Sequence, residues 1–351
     1  VGLAYILLEK GIEFSAGAAS FGATAGGILA GLFLYFQYRK TKKSFKIIKV
    51  KSNPDILTKI LKISIPISLG ATVGTIMSLI DSILVPQKLL QAGFNKTQST
   101  ILYAQLTGKA SVIVNIPLTL SIALCTSLIP IIAESYVLKR REEIKSKVNL
   151  SIKMSAVIAI PCMFGLFFMA EPIMRFILPG RSEGGNILKY LSLSIPFIII
   201  TQTTTSILQS VGSYIIPIIN LLIGCILKII LTIVLVPISY INIYGAVIAS
   251  VSAYVIVAIL NVIAMKKKLG LKLNPYDNFV KPSYASIFMI IGVLLSYSYL
   301  FKNTSSNGVS CLLSILLGVI IYIMGIIILK IFNIKNDKKI IKRAKKPLKK
   351  T

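Results

Sequence analysis

Nine apolar stretches recur along this chain, each long enough to cross roughly 30 Å of hydrocarbon as a helix. In lipid, every backbone amide must find a partner within its own segment or in a closed barrel. A barrel would show segments of about ten residues alternating in polarity, and the sequence has none. With 55% hydrophobic and 14% charged residues, the chain reads as an all-α polytopic membrane protein. The predicted spans are Phe14–Tyr38, Ile60–Val85, Ser111–Ala133, Ser151–Ala170, Leu188–Val211, Tyr214–Pro237, Ile243–Met265, Ser283–Phe301 and Val309–Phe332.

The connections set an orientation. "RKTKKSFKIIKVKSNPDILTK" follows the first span, "KRREEIKSK" the third and "KKK" the seventh, and a basic tail follows the ninth. These alternate with connections poor in Lys and Arg, so the basic ones and the C-terminus are expected on the cytoplasmic side. Counting back places Val1 outside, with neither Met nor a signal peptide. An odd number of spans is therefore expected upstream, and the chain reads as part of a longer, transporter-like protein. Its expected division is residues 1–38, a last helix of a preceding lobe; 39–56, a basic linker; 57–265, a six-helix lobe; 266–281, a linker; 282–332, two additional helices; and 333–351, a basic tail.

Composition removes several functions. The net charge is +28, but it gathers between spans rather than on one folded face, which argues against nucleic acid. There is no histidine, hence no imidazole for metal binding or base catalysis. Cys125, Cys162, Cys225 and Cys311 lie in separate apolar stretches without a CxxC pair, as buried small hydrophobes do. No nucleotide-binding loop, GxSxG or paired-carboxylate motif is present. Neither an enzyme nor a bound cofactor or metal is expected.

Polar residues inside the spans are more informative. Asn220, Gly224, Lys228 and Thr232 are spaced by four in an otherwise Ile/Leu/Val-rich stretch, so they share one helix face. A basic residue at the bilayer centre costs roughly 2.5–3.5 kcal/mol on an insertion scale. Lys228 is far from both ends of its span, so snorkelling offers little relief. Similar stripes run through Ser64, Ser68, Thr72, Thr75, Ser78 and Ser82, with Asp81 beside them. Others join Ser111, Asn115 and Thr119 after Lys109, and Gln202, Ser206, Gln209 and Ser213. Such residues either hold helices together, as do small pairs like Gly70–Gly74, or line a pathway. The candidate substrate-binding residues are Lys228, Asn115, Gln202, Gln209, Lys109 and Asp81. Pro66, Pro117, Pro130, Pro161, Pro196 and Pro217 interrupt the six-span unit, giving either fixed bends or hinges.

"IPISLGATVGTIMSLIDSILVPQKLLQAGF", "LYAQLTGKASVIVNIPLTLSIALCTSLIPIIAES", "ILQSVG" and "LKIILTIVLVPISYINIYGAVIAS" resemble the stage V sporulation protein B group. That group lies within the multidrug/oligosaccharidyl-lipid/polysaccharide (MATE-like) flippase superfamily. The resemblance covers nearly the whole chain and is most specific over Ile65–Ser135. It implies a design of two six-helix lobes about a cavity with two helices appended, of which the present chain carries the second lobe. It also implies flipping of a polyprenyl-diphosphate-linked cell-wall or spore-cortex saccharide across the bacterial cytoplasmic membrane by alternating access. The partners would be that lipid-linked substrate and membrane lipids. Lys228 matches a lysine expected in the group and would meet phosphate as a point charge. The alternatives are a cation-coupled drug or metabolite antiporter of the same superfamily, which would rely on buried carboxylates, and a non-transporting scaffold for cell-wall synthases.

Overall fold

Long helices form wherever the apolar stretches run, because a backbone with no water to bond must bond to itself. A computed structural model describes residues 2–7, 11–44, 54–271 and 273–332. Positions 45–53, Lys272 and the tail 333–351 lie outside the described residues, and with them much of the basic linker and the whole basic tail. Two compact units result.

The first unit, Val1–Lys59, holds a short helix α1 (Gly2–Ile6) and a long helix α2 (Ile12–Ser44). Ser20 and Thr24 return their hydroxyls to the carbonyls of Ala16 and Ser20. This self-satisfaction lets hydroxyls sit in an apolar helix.

The second unit, Ile60–Thr351, contains most of α3 (Pro54–Gln91), then α4 (Lys96–Ala104), α5 (Ser111–Val137), α6 (Arg141–Phe168), α7 (Ala170–Ile177) and α8 (Gly185–Leu191). It continues with α9 (Ile195–Ser210), α10 (Ile215–Leu235), α11 (Ile243–Leu269), α12 (Lys281–Thr304) and α13 (Asn307–Ile328). Among the described residues, nine helical segments are long and apolar enough to cross a membrane. They coincide with the nine expected spans.

The differences lie at the ends. The third span begins at Lys96 rather than Ser111. Asn95 and Gln98 form a reciprocal capping box, which starts the helix early. A π-helical turn, Gln105–Ala110, then carries it into α5, so polar residues that read as a loop are helical. The fifth span is broken as expected near Pro196: α8 passes through a 3₁₀ turn at Ser192–Ser194 before α9. Pro217, by contrast, lies in the first turn of α10, where no intrahelical bond is lost; it does not interrupt that span. Pro66, Pro117, Pro130 and Pro161 are interior.

The core of this unit lies where α5, α6, α8, α9 and α11 meet, around Val114, Ala159, Leu188, Ile195, Ile199 and Val247. Buried polar side chains bond between helices there. Ser155 (α6) lies 2.6 Å from Thr203 (α9), and Cys125 (α5) lies 3.6 Å from the same hydroxyl. Tyr322 of α13 donates to the Val157 carbonyl of α6 at 2.7 Å. In lipid such bonds contribute on average about 0.6 kcal/mol each, so they specify register as much as they stabilise.

Candidate functional site

The stripe on α10 is buried along its whole length: Asn220, Gly224, Lys228 and Thr232. Its first half is used for packing. Asn220 Nδ2 donates to Asn261 Oδ1 of α11 at 2.8 Å, and Asn261 Nδ2 donates to Thr205 Oγ1 of α9 at 3.1 Å. At Gly224, α11 approaches so closely that a Cβ would run into Val257 and lie 3.3 Å from the Ala253 carbonyl oxygen. Only glycine fits there.

Lys228 follows one turn later and meets a different helix. Its ammonium donates to Asp81 Oδ2 of α3. The lysine side chain is 11% exposed and the aspartate side chain 20%. The surrounding seam between α3 and α10 is apolar, built from Val73, Met77, Ile80, Ile218, Leu221, Cys225 and Ile229. Gly70 of α3 faces Ile218 across it. The ion pair is therefore a polar link set into a hydrophobic contact. Removing one member of a buried pair strands the other charge, at a cost of about 3–5 kcal/mol when burial is complete.

The outward faces of α3 and α5 carry polar residues among exposed apolar ones such as Leu79 and Ile116. Thr72, Thr75, Ser78 and Ser82 of α3 are exposed, and each bonds to a carbonyl of its own helix at 2.7–3.4 Å. On α5, Asn115 and Thr119 are exposed. Asn115 is not brought to the ion pair's hydrogen bond. Gln202 of α9 is half-buried, and its Oε1 has no hydrogen-bond partner among the described residues. Gln209 is half-buried at the far end of α9.

Lys109 has another task. Its ammonium donates to the Arg181 carbonyl at 2.7 Å and to Glu183 Oε2 at 3.0 Å, tying the α7–α8 connection to the π turn. The Lys109 hydrogen bond is the main reason that the Glu183 carboxyl is held below its usual range. The same connection borders a polar cavity of about 500 Å³ with Gln105, Glu171, Asn186 and Asn242 on its walls. An apolar cavity of about 370 Å³ lies among α5, α6, α12 and α13, lined by Pro117, Leu166, Met289 and Tyr322 among others.

Sequence reasoning missed three basic or amide contacts. Lys153, inside the fourth span, donates to the Ile331 carbonyl just past α13 at 3.1 Å. Lys147 is buried and bonds to Ser135 at 2.6 Å. Asn278 joins Asn149 at 2.8 Å. Lys153 was findable, since it is a cation between serines in an apolar stretch. Its partner carbonyl, 178 residues on, was not.

Comparison with known proteins fits this architecture. The sequence model of the family described as "Lipid II flippase MurJ" matches residues 3–316. Stage V sporulation protein B of Bacillus subtilis (strain 168) is 26% identical over 312 residues, 87% of this chain and 58% of the relative. Lipid II flippase MurJ of the same organism is 23% identical over 276 residues, 75% of this chain and 50% of the relative. A solved structure titled "Lipid II flippase MurJ, inward closed conformation" matches with a TM-score of 0.59 and 20% identity, covering 90% of this chain and 60% of that one. The chain thus spans about half to three-fifths of the length of these relatives. Nine membrane-long helices among the described residues, and a family match over most of the sequence, identify it as a multi-pass membrane protein of the lipid II flippase MurJ family.

Proposed function

We propose that this chain supplies the second lobe of a flippase that moves a polyprenyl-diphosphate-linked cell-wall saccharide across the bacterial cytoplasmic membrane, with Lys228 meeting the diphosphate. The observation that carries the reading is the buried Lys228–Asp81 pair. A cation held inside a membrane helix by a carboxylate that retains some exposure is a cation in reserve for an anion. Lysine suits phosphate as a point charge. The exposed hydroxyls of α3 and of Thr119 are satisfied by their own helices, whereas the exposed Asn115 amide on α5 would be costly against lipid tails. That amide supports assigning its face to the pathway wall. Gln202, with its unpaired buried oxygen, is assigned beside it. Lys109 is assigned to the outer loop, and Gln209 to the far end of α9.

Residues 57–265 form the substrate-facing lobe in this reading, 282–332 an appended helix pair, and the C-terminus is cytoplasmic. A drug antiporter would need a carboxylate free to take a cation, and Asp81 is already engaged by Lys228. The test is accumulation of the lipid-linked precursor in cells that depend on this protein. Lys228→Met should block delivery to the outer leaflet and Lys228→Arg should retain part of it. Normal delivery by Lys228→Met would refute the assignment, and a scaffold role would predict that outcome.

A further inference from the structure

We infer that Asp81 sets a charge threshold for the substrate: it occupies Lys228 so that singly charged headgroups are refused and only an anion of at least two charges displaces it. The inference rests on the reading of Lys228 given above. A bare ammonium within a bilayer would attract whatever anion is most abundant, and membrane phospholipids carry phosphodiesters with one negative charge. Asp81 already offers Lys228 one negative charge, at hydrogen-bond contact and with no loss of freedom. A phosphodiester therefore gains nothing by exchange, and it strands a carboxylate.

A diphosphate diester brings two charges and more acceptor oxygens. Coulomb attraction scales with that charge, and each added charge-assisted hydrogen bond strengthens the contact further. The geometry permits the exchange. Asp81 is the more exposed partner, at 20% against 11%, and the exposed hydroxyls of Ser78 and Ser82 lie on its own helix. It can turn outward while Lys228, flanked by packed α11, stays in place. This is selection by built-in competition, in which the wrong ligand is made to displace a group already satisfied. It accounts for an acid placed against the lysine that the substrate needs.

The experiment compares two lipids in nanodiscs, polyprenyl-diphospho-N-acetylglucosamine and polyprenyl-phospho-N-acetylglucosamine of equal chain length. Wild type should bind the first at least about tenfold more tightly. Asp81→Asn should tighten the phosphodiester at least about tenfold, because an internal competitor lowers the affinity of every ligand to which it must yield. Asp81→Glu should leave that affinity as in wild type. An unchanged phosphodiester affinity in Asp81→Asn, with binding still lost in Lys228→Met, would overturn the threshold and leave the substrate reading standing. Equal binding of the diphosphate lipid by wild type and Lys228→Met would instead remove both. If Asp81→Asn does not fold, wild type alone decides the matter. Raising phosphatidylglycerol to a third of the bilayer should change its diphosphate-lipid affinity by less than about twofold, and a tenfold loss would overturn the inference.

Discussion

The Lys228 ammonium on α10 donates to the Asp81 carboxylate on α3 across an otherwise apolar seam. The two residues are 147 positions apart in sequence. Each is therefore the other's solvent. Replacing either alone leaves a charge facing Val73, Met77 and Ile229. Asp81→Asn and Lys228→Met should each destabilise the fold by about 2 kcal/mol, below the fully buried limit because Asp81 keeps some exposure. The double variant should cost less than the sum, and a double-mutant cycle on unfolding in detergent measures the difference. Strict additivity would mean that the pair is not formed.

Asn261 is the hinge of a three-helix polar chain, bonded to Asn220 and Thr205. Asn261→Ala removes both bonds and should cost about 1 kcal/mol, within the range for interhelical hydrogen bonds in membranes. The same unfolding measurement reads it. Asn261→Leu should cost more, because the site is fully buried and a leucine of similar size leaves no room for water to pair with the stranded Asn220 amide, as the smaller alanine does.

Much of this was legible in the sequence. The nine spans followed from length and hydropathy, because a helix is forced wherever the chain is in lipid. The α10 stripe followed from its spacing of four. Partners were not legible. Nothing local says that Lys228 meets α3 while Asn220, two turns earlier, meets α11. The same limit hid Asn261, a lone amide in an apolar helix, and the π turn that joins α4 to α5. Sequence proximity to Asn115 groups Lys109 with the substrate residues. Its contacts with Arg181 and Glu183 depend on a loop more than 70 residues away.

The alternation of basic connections predicts which loops face the cytoplasm. Single cysteines at Ser182, Asn242 or Ser305 should react with an impermeant reagent in intact cells. Cysteines at Lys43 or Glu142 should react only after the membrane is opened. The four native cysteines are replaced beforehand; they are free, and Cys125, Cys225 and Cys311 are buried. Labelling of Glu142→Cys from outside would reverse the orientation.

Glu183 gives a pH test of the α7–α8 connection. Its carboxyl is held below the ordinary 4.5 chiefly by the Lys109 hydrogen bond. A group lowered in the folded state contributes stability above its unfolded value and loses it as pH falls through the folded one. Amide protection across residues 180–185, corrected for intrinsic exchange, should therefore hold from neutrality down to 4.5 and decline only below. Glu183→Gln should make it low and independent of pH over that range.

Exchanging the two charges most directly tests whether Lys228 serves the substrate or only its helix partner. Asp81→Lys/Lys228→Asp re-forms an ion pair across the same seam but puts the cation on α3. Flipping of polyprenyl-diphospho-N-acetylglucosamine would be followed in vesicles reconstituted with the whole protein. The swap should restore most of the stability lost in the single variants, while transport stays at least about tenfold below wild type, equivalent to 1.4 kcal/mol or more. Wild-type transport by the swapped protein would show that the pair is purely structural and that the phosphate site lies elsewhere.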